Sequence, residues 1–286
     1  MNYYTWRKFK NKFFHTLLGI SAFMVLVPLF LVISYVFYKG ISGLNLDFFL
    51  HTPKPVGETG GGMLHAILGT LYIVAIGAIL AVPVGVISGT FLSMFGVGKI
   101  ANTLRISIDL LTGVPSIVIG IFAYIIIVVP FKGFSALAGG IALSLIILPI
   151  VTRSTEEILK LVPDHIKEAG LALGLPRWKV IYFIIIRGNL KAILTGVILA
   201  ISRAAGETAP LLFTAFGNRY VSTDLFTPMA SLPVQIYNYS ISPFDDWQRQ
   251  AWTGAFVLIF LILGINLICR LFLNRKQILD KVTRQS

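Results

Sequence analysis

Arg203 and Glu207 stand four residues apart inside an apolar run that extends from about Ala192 to Phe213. On a helix that spacing puts both on one face, within reach of each other. Arg203 is about twelve residues into the run, near 18 Å from its start at 1.5 Å per residue, and so close to the middle of a bilayer. An arginine there costs at least about 2.5 kcal/mol on insertion scales, so it is expected to face a cavity or pathway and to have a partner. Its planar fork of N–H donors suits an oxyanion better than an ammonium does. Glu207 would hold Arg203 in place, compensate its charge, and accept a hydrogen bond from an anion oxygen that still carries a proton. The alternative is a neutralised pair that only locks helices. Gly196, Ala200 and Ala204 keep the face narrow, which leaves room for an ion or a neighbouring helix. Asp109, the remaining charge within a run, has Arg105 four residues before it as a candidate structural partner.

Other chemistries find no residues. Cys269 is the single cysteine, and His15, His51, His65 and His165 never approach metal-ligand spacing. No serine, cysteine or histidine constellation falls within the apolar runs, which excludes an intramembrane enzyme. Gly96-Val97-Gly98-Lys99-Ile100 lacks both the hydroxyl after the lysine and the preceding strand of a phosphate-binding loop. It reads as a basic turn between helices.

The elements that must position these residues are membrane spans. Of 286 residues, 56% are hydrophobic and 13% charged, against roughly 25% charged in a soluble domain. Six runs approach the roughly 20 residues that cross a hydrocarbon core: about 13–38, 66–95, 104–131, 134–152, 192–213 and 252–272. Pro83, Pro115 and Pro149 are expected to kink or break the second, third and fourth. The first run follows Arg7, Lys8, Lys10 and Lys12 but is too long for a signal core, so it is read as an uncleaved helix. Eighteen of the 24 Lys and Arg fall on one side of a six-span arrangement and five on the other, with Arg203 inside a span. The positive-inside rule therefore puts both termini in the cytoplasm, and the net charge of +12 reports topology rather than nucleic-acid binding.

Two connecting stretches are long. The outer one, 214–251, mixes Pro228, Pro233 and Pro243 with Tyr237, Tyr239, Phe244 and Trp247, suited to an interfacial or re-entrant segment. The inner one, 153–187, carries mixed charges and reads as two short helices separated by Pro163. Its second helix, with Ala169, Gly170, Ala172 and Gly174 among Leu171, Leu173 and Leu175, fits either a docking helix or a helix lying on the membrane surface.

Glu168-Ala169-Gly170, three residues, Gly174, nine residues and Ile184 resemble the loop by which permeases of bacterial binding-protein-dependent ABC importers meet their ATPases. Gly170 stands for the second alanine of that pattern, Ile186 for its leucine and Arg187 for its proline. The stretch Arg203-Ala204-Ala205-Gly206-Glu207-Thr208-Ala209-Pro210, on to Thr214, together with Gly113-Val114-Pro115-Ser116-Ile117, resembles the phosphate importer branch of that family. The resemblance covers most of the chain from about Gly60. It implies an all-α integral membrane protein with six transmembrane helices, of the type I ABC importer permease fold with cytoplasmic coupling helices, in a bacterial inner membrane.

By the same resemblance the chain is a non-enzymatic subunit for phosphate import. Its implied partners are a second permease of similar fold, two ATP-binding subunits, an extracytoplasmic phosphate-binding protein and membrane lipid, with no nucleic acid. The chain would hold no cofactor, ATP and magnesium belonging to the partners. Arg203, Glu207 and Thr208 are assigned to the substrate path, and Glu168, Ala169, Gly170 and Gly174 to coupling. Residues 1–60 comprise an amino tail, the first helix and an outer loop, 61–275 the permease domain, and 276–286 a cytoplasmic tail. The rivals are a permease for sulfate or molybdate and a secondary transporter, for which no internal repeat is evident.

Overall fold

The computed structural model describes residues 3–55, 57–58 and 60–283. The end of the expected tail, 284–286 with Arg284, lies outside the described residues. Four helices are individually long and apolar enough to cross a membrane: α1 (Tyr3–Gly40), α3 (Leu64–Phe95), α6 (Ala136–Lys160) and α12 (Asp245–Thr283). Two further spans are bent pairs. Helix α4 (Lys99–Gly113) meets α5 (Ser116–Phe131) at 103°, and α8 (Arg177–Ile186) meets α9 (Leu190–Ala205) at 70°, so up to six spans result. Short helices α2 (Leu46–Leu50), α7 (Asp164–Ala172), α10 (Ala209–Thr214) and α11 (Leu232–Ser240) connect them.

The centre is the contact between α3 and α6, where small residues remove side chains from the seam. A Cβ on Gly85 would lie 2.8 Å from Val151 Cγ1, and one on Gly89 only 2.5 Å from the Thr152 carbonyl oxygen. Gly77 meets Gly140 and Leu143 in the same way. Dispersion between closely approaching backbones drives such association, because apolar side chains gain nothing by leaving lipid. Around the seam Ile73, Leu143, Ile147 and Val151 are fully buried. By contrast α1 is exposed along nearly its whole length and reaches the bundle through Tyr35 against Trp252 and Phe37 against Phe256. That exposed surface is apolar, as contact with lipid requires.

Three sequence expectations need correction. Pro83 and Pro149 sit inside continuous helices, whereas Pro115 does stand at a break. There Val114 is extended (φ −69°, ψ 130°), the region to which a residue before proline is steered. The run 192–213 is not one helix either, because α9 stops at Ala205 and α10 restarts at Ala209 with Pro210 in its first turn. Nor does 153–187 open with a separate short helix: 153–160 are the last turns of α6, held by the buried Thr155, Glu156 and Leu159, and residues 177–186 are helical too.

Gly89→Leu would force a side chain into the Thr152 backbone, an overpacking that typically costs about 1–3 kcal/mol. Thermal denaturation in detergent should show a lower Tm than for Gly19→Leu, where an added Cβ meets nothing within 4 Å. Equal melting of the two variants would remove the seam from its central place.

Candidate functional site: a charged cavity between two helix breaks

The break at Val114-Pro115 and the break between Ala205 and Ala209 open onto the same space. A cavity of about 260 Å³ is bounded by Gly113, Pro115 and Ser116 on one side and by Arg203 and Glu207 on the other, with Pro149 and Ile150 of α6 behind. The two broken segments touch at backbone level, since a Cβ on Gly120 of α5 would lie 2.7 Å from Pro210 Cα at the start of α10. Non-helical backbone at membrane depth is tolerated where it is buried in protein or lines a water-filled cavity, and both breaks meet that condition.

Arg203 Nε lies 4.0 Å from Glu207 Oε1, an ion pair at the limit of contact. The Arg203 side chain is 59% exposed and the Glu207 side chain 17%. The pair forms, but not along one continuous helix face: Gly206, at φ −92° and ψ −3°, ends α9 and the following turn brings Glu207 back toward the guanidinium. Gly196, Ala200 and Ala204 serve helix packing. Ala200 and Ala204 are fully buried, and a Cβ on Gly196 would lie 2.6 Å from Ser154 Oγ of α6. Thr208 is outside the cavity lining and occupies the cap position of α10, its carbonyl accepting from the N–H groups of Leu211 and Leu212.

A second cavity of about 570 Å³ adjoins the first, sharing Thr112, Gly113, Ile150 and Arg203, and is lined further along by Asp109, Arg153 and Glu157. Arg203 thus stands at the junction of the two. Asp109 does not pair with Arg105 as expected; its carboxylate lies 3.8 Å from Arg153 Nε. Arg105 instead donates from Nε to Glu156 Oε1 at 2.7 Å, and to the Leu92 and Gly96 carbonyls, which closes the carboxyl end of α3.

Sequence reading missed Glu156. Its side chain is 1% exposed and receives Arg105, Lys160 at 2.6 Å and Arg153 at 3.2 Å, so this carboxylate of α6 holds Arg105 of α4, which in turn binds the carbonyl of Leu92 in α3. Arg153 and Lys160 at three residues before and four after were a visible signal. The deciding partner, Arg105, is 51 residues away and was not.

The candidate coupling residues divide by position. On α7, Glu168 and Ala169 are exposed while Gly170 is buried, and a Cβ on Gly170 would lie 2.8 Å from Ile184 Cδ1 and 3.1 Å from Val180 Cγ2. Helix α7 therefore rests on α8 at Gly170, the position where the resembling family carries alanine. Gly174 has φ +78° and terminates α7: its N–H donates to the Leu171 carbonyl and that of Leu175 to the Gly170 carbonyl, a pairing that wants glycine. Beside them Leu161 and Leu173 are more than 80% exposed, an apolar surface at the tip of the bundle.

Bent spans about a charged cavity, with an apolar exterior and a projecting short helix, define the class of multi-pass membrane permeases. The fold agrees with that of a chain in the inward-facing MetNI methionine ABC transporter, at a TM-score of 0.60 and 16% identity over 74% of this chain and 96% of that one. The family model for binding-protein-dependent transport system inner membrane components matches residues 81–277, and the chain belongs to that family. Within it the chain falls among the phosphate transport system permease proteins PstA. It is 42% identical to the one from Haemophilus influenzae over 95% of this chain and 96% of that protein. To the one from Pasteurella multocida it is also 42% identical, over 94% and 96%, and to that of Mycobacterium leprae 39% over 91% and 88%.

Removing one partner of a buried ion pair costs about 3–5 kcal/mol, and the lower end applies where the cations reach solvent, as Lys160 and Arg153 do. Glu156→Ala should therefore lower the Tm of the purified protein by several degrees, whereas Glu157→Ala, at an exposed carboxylate, should not. Matching Tm values would deny the network a stabilising role.

Proposed function

We propose that this chain forms half of the path by which inorganic phosphate enters the cytoplasm through an ATP-driven importer. The observation that carries the reading is the Arg203–Glu207 pair at the joint of two cavities, between two helix breaks. Support comes from the relatives, which are phosphate transport permeases by name. Among the described residues the Arg203 guanidinium donates no hydrogen bond, so its N–H groups are free for an oxyanion in the cavity. Ser116, at the start of α5, adds a hydroxyl and the positive end of a helix to the same wall. Glu207 accepts from a protonated phosphate oxygen, which fully ionised sulfate lacks. This favours phosphate over the other oxyanions.

The remaining components follow from the same reading. A second permease of similar fold closes the open side of the cavity beside the half-exposed Arg203, and an extracytoplasmic phosphate-binding protein delivers the ion. Two ATP-binding subunits, which carry the ATP and magnesium, receive α7 through Glu168, Ala169 and the neighbouring leucines. Both termini and α7 lie in the cytoplasm, on the side of the basic surplus. A push on α7 reaches α8 through Gly170, and α9 with Arg203 follows.

Reconstituted complex supplied with ATP and binding protein should take up phosphate in the presence of excess sulfate. Arg203→Gln should reduce that uptake at least about tenfold while the assembled complex is recovered in normal yield, since each lost charge-assisted contact is worth more than 1.4 kcal/mol. Undiminished uptake by the assembled variant would return Arg203 to helix packing. Separately, Gly170→Leu should unseat α7 from α8 and leave ATP hydrolysis running with transport reduced. Hydrolysis and transport that fall in constant ratio would remove Gly170 from coupling.

A further inference from the structure

A third cavity, of about 320 Å³, lies at the end of the bundle away from Glu156, where the segments before α3, after α10 and along α11 come together. Its wall holds two cationic side chains, Lys54 and Arg219, and three amides, Asn218, Gln235 and Asn238, of which Gln235 is engaged by Tyr239 and His65; among the described residues no carboxylate lines it. The nearby carboxylate Asp246 is engaged by Arg249 and Gln250. Asn218 Oδ1 accepts the Tyr220 N–H at 3.0 Å, which leaves its amide N–H groups as the end that can reach a ligand.

The wall is built rather than incidental. Phe216 adopts φ +61°, a left-handed conformation rare for a bulky residue, with its N–H on the Leu211 carbonyl and its ring stacked on Phe134 at 4.9 Å. That turn delivers Asn218 and Arg219 to the cavity. Trp247, stacked on Tyr239 at 4.5 Å, supplies another side. Leu212 of α10 also lines this cavity, and α10 is the six-residue helix that begins two residues after Glu207.

We infer that this cavity is a second oxyanion site, which takes phosphate at the outer mouth before it passes along α10 to the Arg203 cavity. The inference rests on the function proposed above for its direction, but the site itself is testable alone. Two cations with amide donors and no acceptor carboxylate match a doubly charged oxyanion. A phosphate group on a lipid shares that chemistry, and the two sources are separated by the choice of bilayer.

The experiment follows Trp247 fluorescence while inorganic phosphate is titrated into the nucleotide-free complex without binding protein, in nanodiscs of phosphatidylcholine and, separately, of phosphatidylglycerol. A saturable change that Trp247→Phe abolishes, that is the same in both lipids, that weakens at least about tenfold in Lys54→Gln/Arg219→Gln and that survives in Arg203→Gln is the expected result. Absence of the change overturns the site, as does its loss in Arg203→Gln with retention in the double variant. A phosphate response seen in phosphatidylcholine and blocked in phosphatidylglycerol assigns the cavity to lipid headgroups and overturns it as well. An unchanged titration in the double variant does the same. Phosphate uptake by the wild-type complex is measured in parallel, so that uptake without the fluorescence response rejects the outer site and leaves the transport function standing.

Discussion

In hydrocarbon a chain gains little by burying apolar side chains against one another, and the backbone has no water to satisfy it. Both constraints are met here at the contact of α3 and α6, where Gly77, Gly85 and Gly89 let two helices approach until backbone meets backbone. Helix α6 then presents its other sides to α4, α5, α9 and α10. Because this pair is fixed, the segments around it are free to be irregular. The breaks after Gly113 and Ala205 fall where α6 provides a wall through Ile146, Pro149 and Ile150, so the exposed backbone opens onto protein and a cavity rather than lipid.

The same geometry makes the position of Arg203 tolerable. Its cost in lipid is avoided because the side chain emerges at the junction of two cavities, next to a carboxylate. A contact of 4.0 Å to Glu207 neutralises charge without consuming the donor geometry of the guanidinium, which a shorter bidentate pair would do. A packing pair would gain from tight bonding and burial. The loose, half-exposed arrangement fits a residue kept available for a third group.

The number of spans, the short helix α7, the small-residue faces and the ion pair were legible because each depends on local composition or on residues within a few positions. What was not legible depended on distant partners. Pro83, Pro115 and Pro149 look alike in sequence, yet only Pro115 stands at a break, and the exposed Pro83 and the buried Pro149 both lie inside continuous helices. Arg105 has an acidic residue four positions on and ignores it for Glu156, because the buried carboxylate with three cations offers a less screened field than exposed Asp109. Gly174 was visible as a small residue, but its role as a left-handed terminator and the closer fit of Gly170 against Ile184 are facts of tertiary placement.

Glu156 and Gly170 mark two separate joints of the bundle. The carboxylate of α6 holds Arg105 of α4, which in turn binds the end of α3, so the three ends are joined. Helix α7 is outside that joint and touches the fifth span at Gly170, through Val180 and Ile184 of α8. Helix α8 turns by 70° into α9, and α9 ends at Arg203 and the Gly206 turn. Helix α7 thus meets the bundle at the segment that leads to Arg203, and α8 and α9 in turn pack on α6 in one core with Ile147, Val151 and Leu159. Helices α4 and α6 bear Gly113 and Pro149, the opposite wall of the Arg203 cavity. For the path proposed above to open at one end and close at the other, the distance between these two walls is the one that must change.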